Sequence, residues 1–148
     1  MAGKKSYGKE ADLNLKLVIG LSRTTQLIHR HSGERFKEAG LSLAQFAVLE
    51  ALYHKGEMSI REITRIILST PGNMTVVIRN LERQGLITTR ISPEDRRATL
   101  AAITPLGREK IQDLFPGHLR DLEEAFRPLT SQEKEELLGL LKKLKTDK

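Results

Sequence analysis

The 148 residues hold 25 Lys and Arg against 19 Asp and Glu, a formal net charge of +6, and no cysteine. That length suits one domain with its own core, and the missing cysteine excludes disulfides, thiolate metal sites and thiol switches. No apolar run approaches the roughly 20 residues of a membrane span, and the opening MAGKKSYGKEADLN has no signal-peptide core, so a cytoplasmic chain with no membrane partner is expected.

The first helix is expected from about Asp12 to Glu38, with Leu17, Leu21 and Ile28 near one stripe and Leu13 and Leu27 beside it. Gly40 ends it. Ser42 followed by Gln45 reads as a capping box opening a helix with Phe46, Leu49 and Leu52 inward, which stops near Lys55-Gly56. A second box, Ser59 and Glu62, opens a short helix carrying Ile60, Ile63 and Ile67. Another start follows at once: Thr70 as cap, Pro71 at the first helical position, and an apolar repeat at Met74, Val77, Ile78 and Leu81 closed by Gly85.

LITTRIS and TLAAIT are β-prone runs separated by PEDRRA, a hairpin with a projecting tip. Thr104-Pro105 restarts helix, and Pro116, between Phe115 and Gly117, is expected to kink or break it. Thr130 with Glu133 caps a last helix with the stripe Leu137, Leu140, Leu141 and Leu144. The order is four helices, a hairpin, then two helices. Two helices joined by almost nothing read as a helix-turn-helix, and the hairpin after them as its wing. The fold class is mainly α with a small β-hairpin wing. The apolar faces at both ends call for self-association, hence a homodimer.

The positive charge favours a polyanion. Between Ser59 and Arg97 every base is Arg, and Lys collects at the termini; Arg forks suit phosphates and guanine edges, while a solvated helical surface explains the charge alone equally well. Opposite its apolar stripe, the helix after Thr70 shows Gly72, Val76, Arg79 and Arg83, flanked by Asn73, Thr75 and Asn80. Arg pairs with guanine, Asn with adenine, Thr with phosphate or base, and a thymine methyl suits Val76; a stray exposed valine accounts for Val76 equally well. Free N–H groups near Thr70 to Asn73, where Pro71 itself has none to give, offer a phosphate seat that Gly72 lets a phosphate approach closely. At the tip, Arg96 and Arg97 suit a narrow minor groove, and Asp95 is expected to pair with one of them and hold the tip. DRR alone would be a plain charged turn; its place between two strands after a helix-turn-helix makes it a wing.

The run LSTPGNMTVVIRNLERQGLITTRISPEDRRATLAAITPLG resembles the core of the MarR family of bacterial and archaeal regulators, most of all in LERQGLI, PEDRRA and ITPLG. The resemblance spans nearly the whole chain. It implies a single domain over 1–148, with a winged helix-turn-helix at 42–103 and dimerisation helices at 12–38 and 104–146. It also implies recognition helices in successive major grooves of a double-stranded operator, Arg97 in the minor groove, and Asp95 as its acidic partner. Val76 departs from the arginine the family often carries after the residue matching Thr75, which leaves base preference there open. The resemblance further implies a small, often phenolic inducer between the dimer helices and the winged helix, with Arg23, His29, Phe46 and Tyr53 as pocket candidates, although core packing suits each aromatic.

The sequence holds no P-loop, GxSxG, GxGxxG or HExxH, and Glu123, Glu124, Glu133, Glu135 and Glu136 sit beside lysines as a solvated face would. His29 and His31 point apart on a helix. No catalytic residue, cofactor or metal is therefore expected. The alternative to an operator-binding repressor is a nucleoid-type protein that coats any DNA.

Overall fold

The computed structural model describes residues 4–67 and 71–145. The elements are α1 (Lys9–Glu38), α2 (Leu43–Lys55), β1 (Met58–Ser59), α3 (Ile60–Ile67), α4 (Pro71–Arg83), β2 (Ile87–Ile91), β3 (Thr99–Ile103), α5 (Pro105–Phe126) and α6 (Ser131–Leu144). Side chains set most boundaries. Ser42 and Gln45 form a reciprocal box, each backbone N–H donating to the other's side chain at 2.9 and 3.1 Å. Ser59 with Glu62, and Thr130 with Glu133, repeat it. Each box satisfies two of the N–H groups a helix start leaves orphaned. Gly40, Gly56 and Gly85, with φ of +78°, +82° and +74°, take positive-φ conformations that side chains rarely adopt, and a helix stops at or just before each. The Thr70 cap lies outside the described residues.

The core is built where the stripes pointed. Phe46, Leu49 and Leu52 of α2, Ile63 of α3, and Met74, Val77, Ile78 and Leu81 of α4 are buried, with Ile60 and Ile67 packed against them. The sheet has three antiparallel strands in the order β1-β3-β2, Met58 opposing Ala101 and Ile87 opposing Ile103. The hairpin was expected. The third strand was not, because two residues carry no alternation to read.

Pro116 does not break α5, which runs unbroken from Pro105 to Phe126. The carbonyl Pro116 deprives of a partner belongs to Gln112, and both residues are exposed, so the cost of the missing bond is that of a solvent-side carbonyl rather than a buried one. One copy leaves apolar faces of its terminal helices uncovered, as the sequence reading expects. Leu13, Leu17, Leu21 and Leu27 of α1 and Leu137, Leu140 and Leu144 of α6 are exposed, and α6 buries no residue. No helix among the described residues is long and apolar enough to cross a membrane.

Candidate nucleic-acid interface

α3 and α4 are separated by residues 68–70 alone. Burial of Met74, Val77, Ile78 and Leu81 turns the other face of α4 outward, exposing Gly72, Asn73, Thr75, Val76, Arg79 and Arg83. Val76 is 54% exposed, an apolar β-branched side chain among polar neighbours. Arg79 and Arg83 enter no ion pair among the described residues. Pro71 is the first residue of α4.

The wing is braced at its base. Arg90 of β2 grips Glu57, in the turn before β1, through Nε at 3.0 Å and Nη2 at 2.7 Å. That fork holds the Glu57 carboxyl below its usual pKa and raises the guanidinium. The Thr89 hydroxyl donates to Glu82, tying β2 to α4. Arg90 is thereby neutralised, and the free positive charge of the wing gathers at the tip.

At the tip, Asp95 does not pair with a guanidinium. Its Oδ1 accepts the backbone N–H of Arg97 at 3.0 Å, while Ser92 Oγ accepts the N–H of Asp95 at 3.3 Å and the Ala98 N–H closes on the Asp95 carbonyl at 2.9 Å. A short carboxylate reaches the backbone two residues on more readily than a long mobile guanidinium. The turn is set through the main chain, and Arg96 and Arg97 stay exposed, with no ion pair among the described residues.

A cleft of about 760 Å³ lies between α1, α2 and α5, and Ile66 and Ile67 of α3 also line it. Of the four residues named from the sequence, His29 and Phe46 line it, and Arg23 and Tyr53 do not. Tyr53 instead accepts from Gln112 Nε2 at 3.4 Å. The wall is aromatic: Phe36 and Phe46 stack at 3.8 Å, and His118 meets Phe46, Phe36 and Phe115 at 5.0, 5.3 and 6.0 Å. His118 Nδ1 lies 3.5 Å from Ser32 Oγ. Burial pushes the imidazole pKa down, against Glu50 and Asp121, which favour its charged form. His118, Ser32 and Phe115 were missed by sequence reasoning, since only tertiary packing brings α1, α2 and α5 together. Behind them Asp121 takes a bidentate fork from Arg35 at 2.7 and 3.0 Å, joining α5 to α1.

A buried-backed helix facing out, three residues behind another helix and followed by an arginine-tipped hairpin, defines a winged helix-turn-helix protein. The MarR family model matches residues 41–99. The chain is 38% identical over 131 residues to the HTH-type transcriptional regulator MhqR of Bacillus subtilis (strain 168), covering 88% of this chain and 90% of that one. Among solved structures it resembles Bordetella bronchiseptica BpsR, whose DNA binding is regulated by 6-hydroxynicotinic acid, at 26% identity and a TM-score of 0.79 over 87% of this chain and 98% of that one. It shares the fold of a mutant of Escherichia coli MarR complexed with operator DNA, with a TM-score of 0.82 at 21% identity over 93% of this chain and 99% of that one. The chain belongs to the MarR family of transcriptional regulators.

Proposed function

We propose that the protein is a cytoplasmic repressor that binds a pseudo-palindromic operator as a homodimer and is released by a small aromatic ligand. The observation that carries this reading is the pairing of an outward polar face on α4 with an unpaired arginine tip on the wing. Residues 42–103 form the DNA-binding part; 12–38 and 104–146 form the dimer. The contacts with the major groove or its phosphates are assigned to Thr70, Pro71, Gly72, Asn73, Thr75, Val76, Arg79 and Arg83. Arg96 and Arg97 enter the flanking minor groove, where narrow A·T-rich stretches concentrate negative potential. Asp95 supports them by fixing the turn.

The inducer site is the cleft. Its rings and imidazoles suit a flat hydroxylated aromatic, and BpsR, a relative of the same fold, answers to such a molecule. The cleft also reaches Ile66 and Ile67, at the end of the helix that leads into the recognition helix. An occupant therefore presses on the DNA-binding part as well as on α1 and α5. It acts as inducer only if it binds the DNA-incompetent shape more tightly.

Footprinting on fragments of the source genome tests the reading. Protected half-sites should lie about 10 bp apart centre to centre, and affinity should fall steeply with salt as counterions are released. Equal affinity for every duplex at all salt concentrations would favour a DNA coater instead.

A further inference from the structure

Five bases of α1, Lys9, Lys16, Arg23, Arg30 and Lys37, recur at every seventh position. Seven residues nearly complete two helical turns, so the line drifts only about 20° per repeat and extends about 42 Å along the helix. All five are exposed. The line lies opposite the face on which Ser32 and Phe36 are buried against the protein's own fold. Beside it, the first half of α1 is apolar almost all round, with Leu13, Leu15, Leu17, Val18, Ile19 and Leu21 each at least 41% exposed. A helix with that pattern is made to be surrounded, and its single basic line marks where the cover ends.

The charges of α1 have a counterpart. No acid occurs from Leu13 to Gly33, whereas Asp121 to Glu136 holds six acids against two bases. Glu123, Glu135 and Glu136 are exposed and enter no ion pair among the described residues. Within one copy the end of α1, beyond the basic line, already pairs with the acidic stretch once, at Arg35 and Asp121. The exposed leucines of α6 adjoin the acids, so both halves of the pattern border uncovered apolar surface.

We propose that the Lys16, Arg23 and Arg30 line of one copy lies along Glu123, Glu135 and Glu136 of a second copy, so that charge selects this chain as its own partner. The inference rests on the homodimer proposed above. Apolar burial supplies the affinity, while charges at the rim set encounter rate and reject wrong partners. Each exposed pair is weak, but a two-fold axis repeats it.

Two reversed sets test this by sedimentation at low and high salt: Lys16→Glu with Arg23→Glu and Arg30→Glu, and Glu123→Lys with Glu135→Lys and Glu136→Lys. We expect wild-type dimers to weaken with salt. Each set alone should weaken dimerisation about tenfold or more at low salt, and mixing the two should restore a heterodimer of wild-type strength. Should a reversed set fail to fold by thermal melt, the neutral set Lys16→Gln, Arg23→Gln and Arg30→Gln gives the same readout in the same direction. Salt-independent dimers for wild type and both sets would overturn charge selection and leave the dimer intact. A wild-type monomer at micromolar concentration would overturn the dimer and this inference with it. Weakened DNA binding with unchanged dimerisation would make the line a phosphate contact and overturn the proposal.

Discussion

Gly107 has no room for a single methyl group. A Cβ there would lie 2.2 Å from the Leu86 carbonyl oxygen and 2.7 Å from Ile103 Cγ1. At Gly117 a Cβ would come equally close, 2.2 Å, but to the guanidinium of Arg35. The distances match and the obstacles do not. Backbone cannot step aside, whereas the end of an arginine can. Gly107→Ala should cost about 1–3 kcal/mol of stability, the scale of an overpacked core, and Gly117→Ala should cost less, mainly through the lost Asp121 fork. Thermal melts rank the two; the reverse order would contradict this account. His118 gives a second expectation. Its folded pKa is depressed below 6.5 by burial, so the unfolded chain binds more protons as pH falls. The stabilising contribution of neutral His118 is complete above that value and is lost as pH drops through it toward the folded pKa. His118→Phe should flatten the fall in melting temperature across that window; an unchanged slope would assign the effect elsewhere.

Among the elements, the wing separates folding from binding. Its base is fixed by Arg90 and Glu57, its tip by Asp95 through the backbone, and the side chains of Arg96 and Arg97 support neither. Arg97→Ala should weaken operator binding by roughly 1–3 kcal/mol and leave the melt unchanged, while Arg79→Ala should alter base preference. Fluorescence titration against the operator and single-base variants checks both. Elements governed by local chemistry were legible in the sequence. Ser42 with Gln45 and Thr130 with Glu133 cap within four residues, and the Met74 to Leu81 stripe repeats within two helical turns. What depends on distant parts was not. Arg23 and Tyr53 do not line the cleft, because which face of α1 and α2 forms its wall depends on the packing of the distant α5 against them. The α5 helix continues past Pro116 because the lost bond faces water. Asp95 chose a backbone partner that composition could not reveal.

The uncovered leucines matter for the whole molecule. Leu140 is 58% exposed in one copy, so Leu140→Glu should cost a single fold little. It should shift the proposed dimer toward monomer, because a desolvated unpaired carboxylate opposes association. Sedimentation at micromolar concentration reads the shift, and a dimer as tight as wild type would place the interface elsewhere. One hydroxyl joins the DNA-binding part to these helices. Thr104 Oγ1 donates to the Gly85 carbonyl at 2.7 Å and accepts the Gly107 N–H at 3.0 Å, while the Thr104 N–H reaches the Leu86 carbonyl at 3.0 Å. The end of α4 and the start of α5 therefore meet in a stiff elbow, so that any rotation of α5 about it would carry α4 along as one arm. A helix of this size is about 20 Å long, so a turn of roughly 10° at the elbow carries its far end about 3 Å. That is the length of a hydrogen bond, enough to take a side chain from contact with a base edge to none.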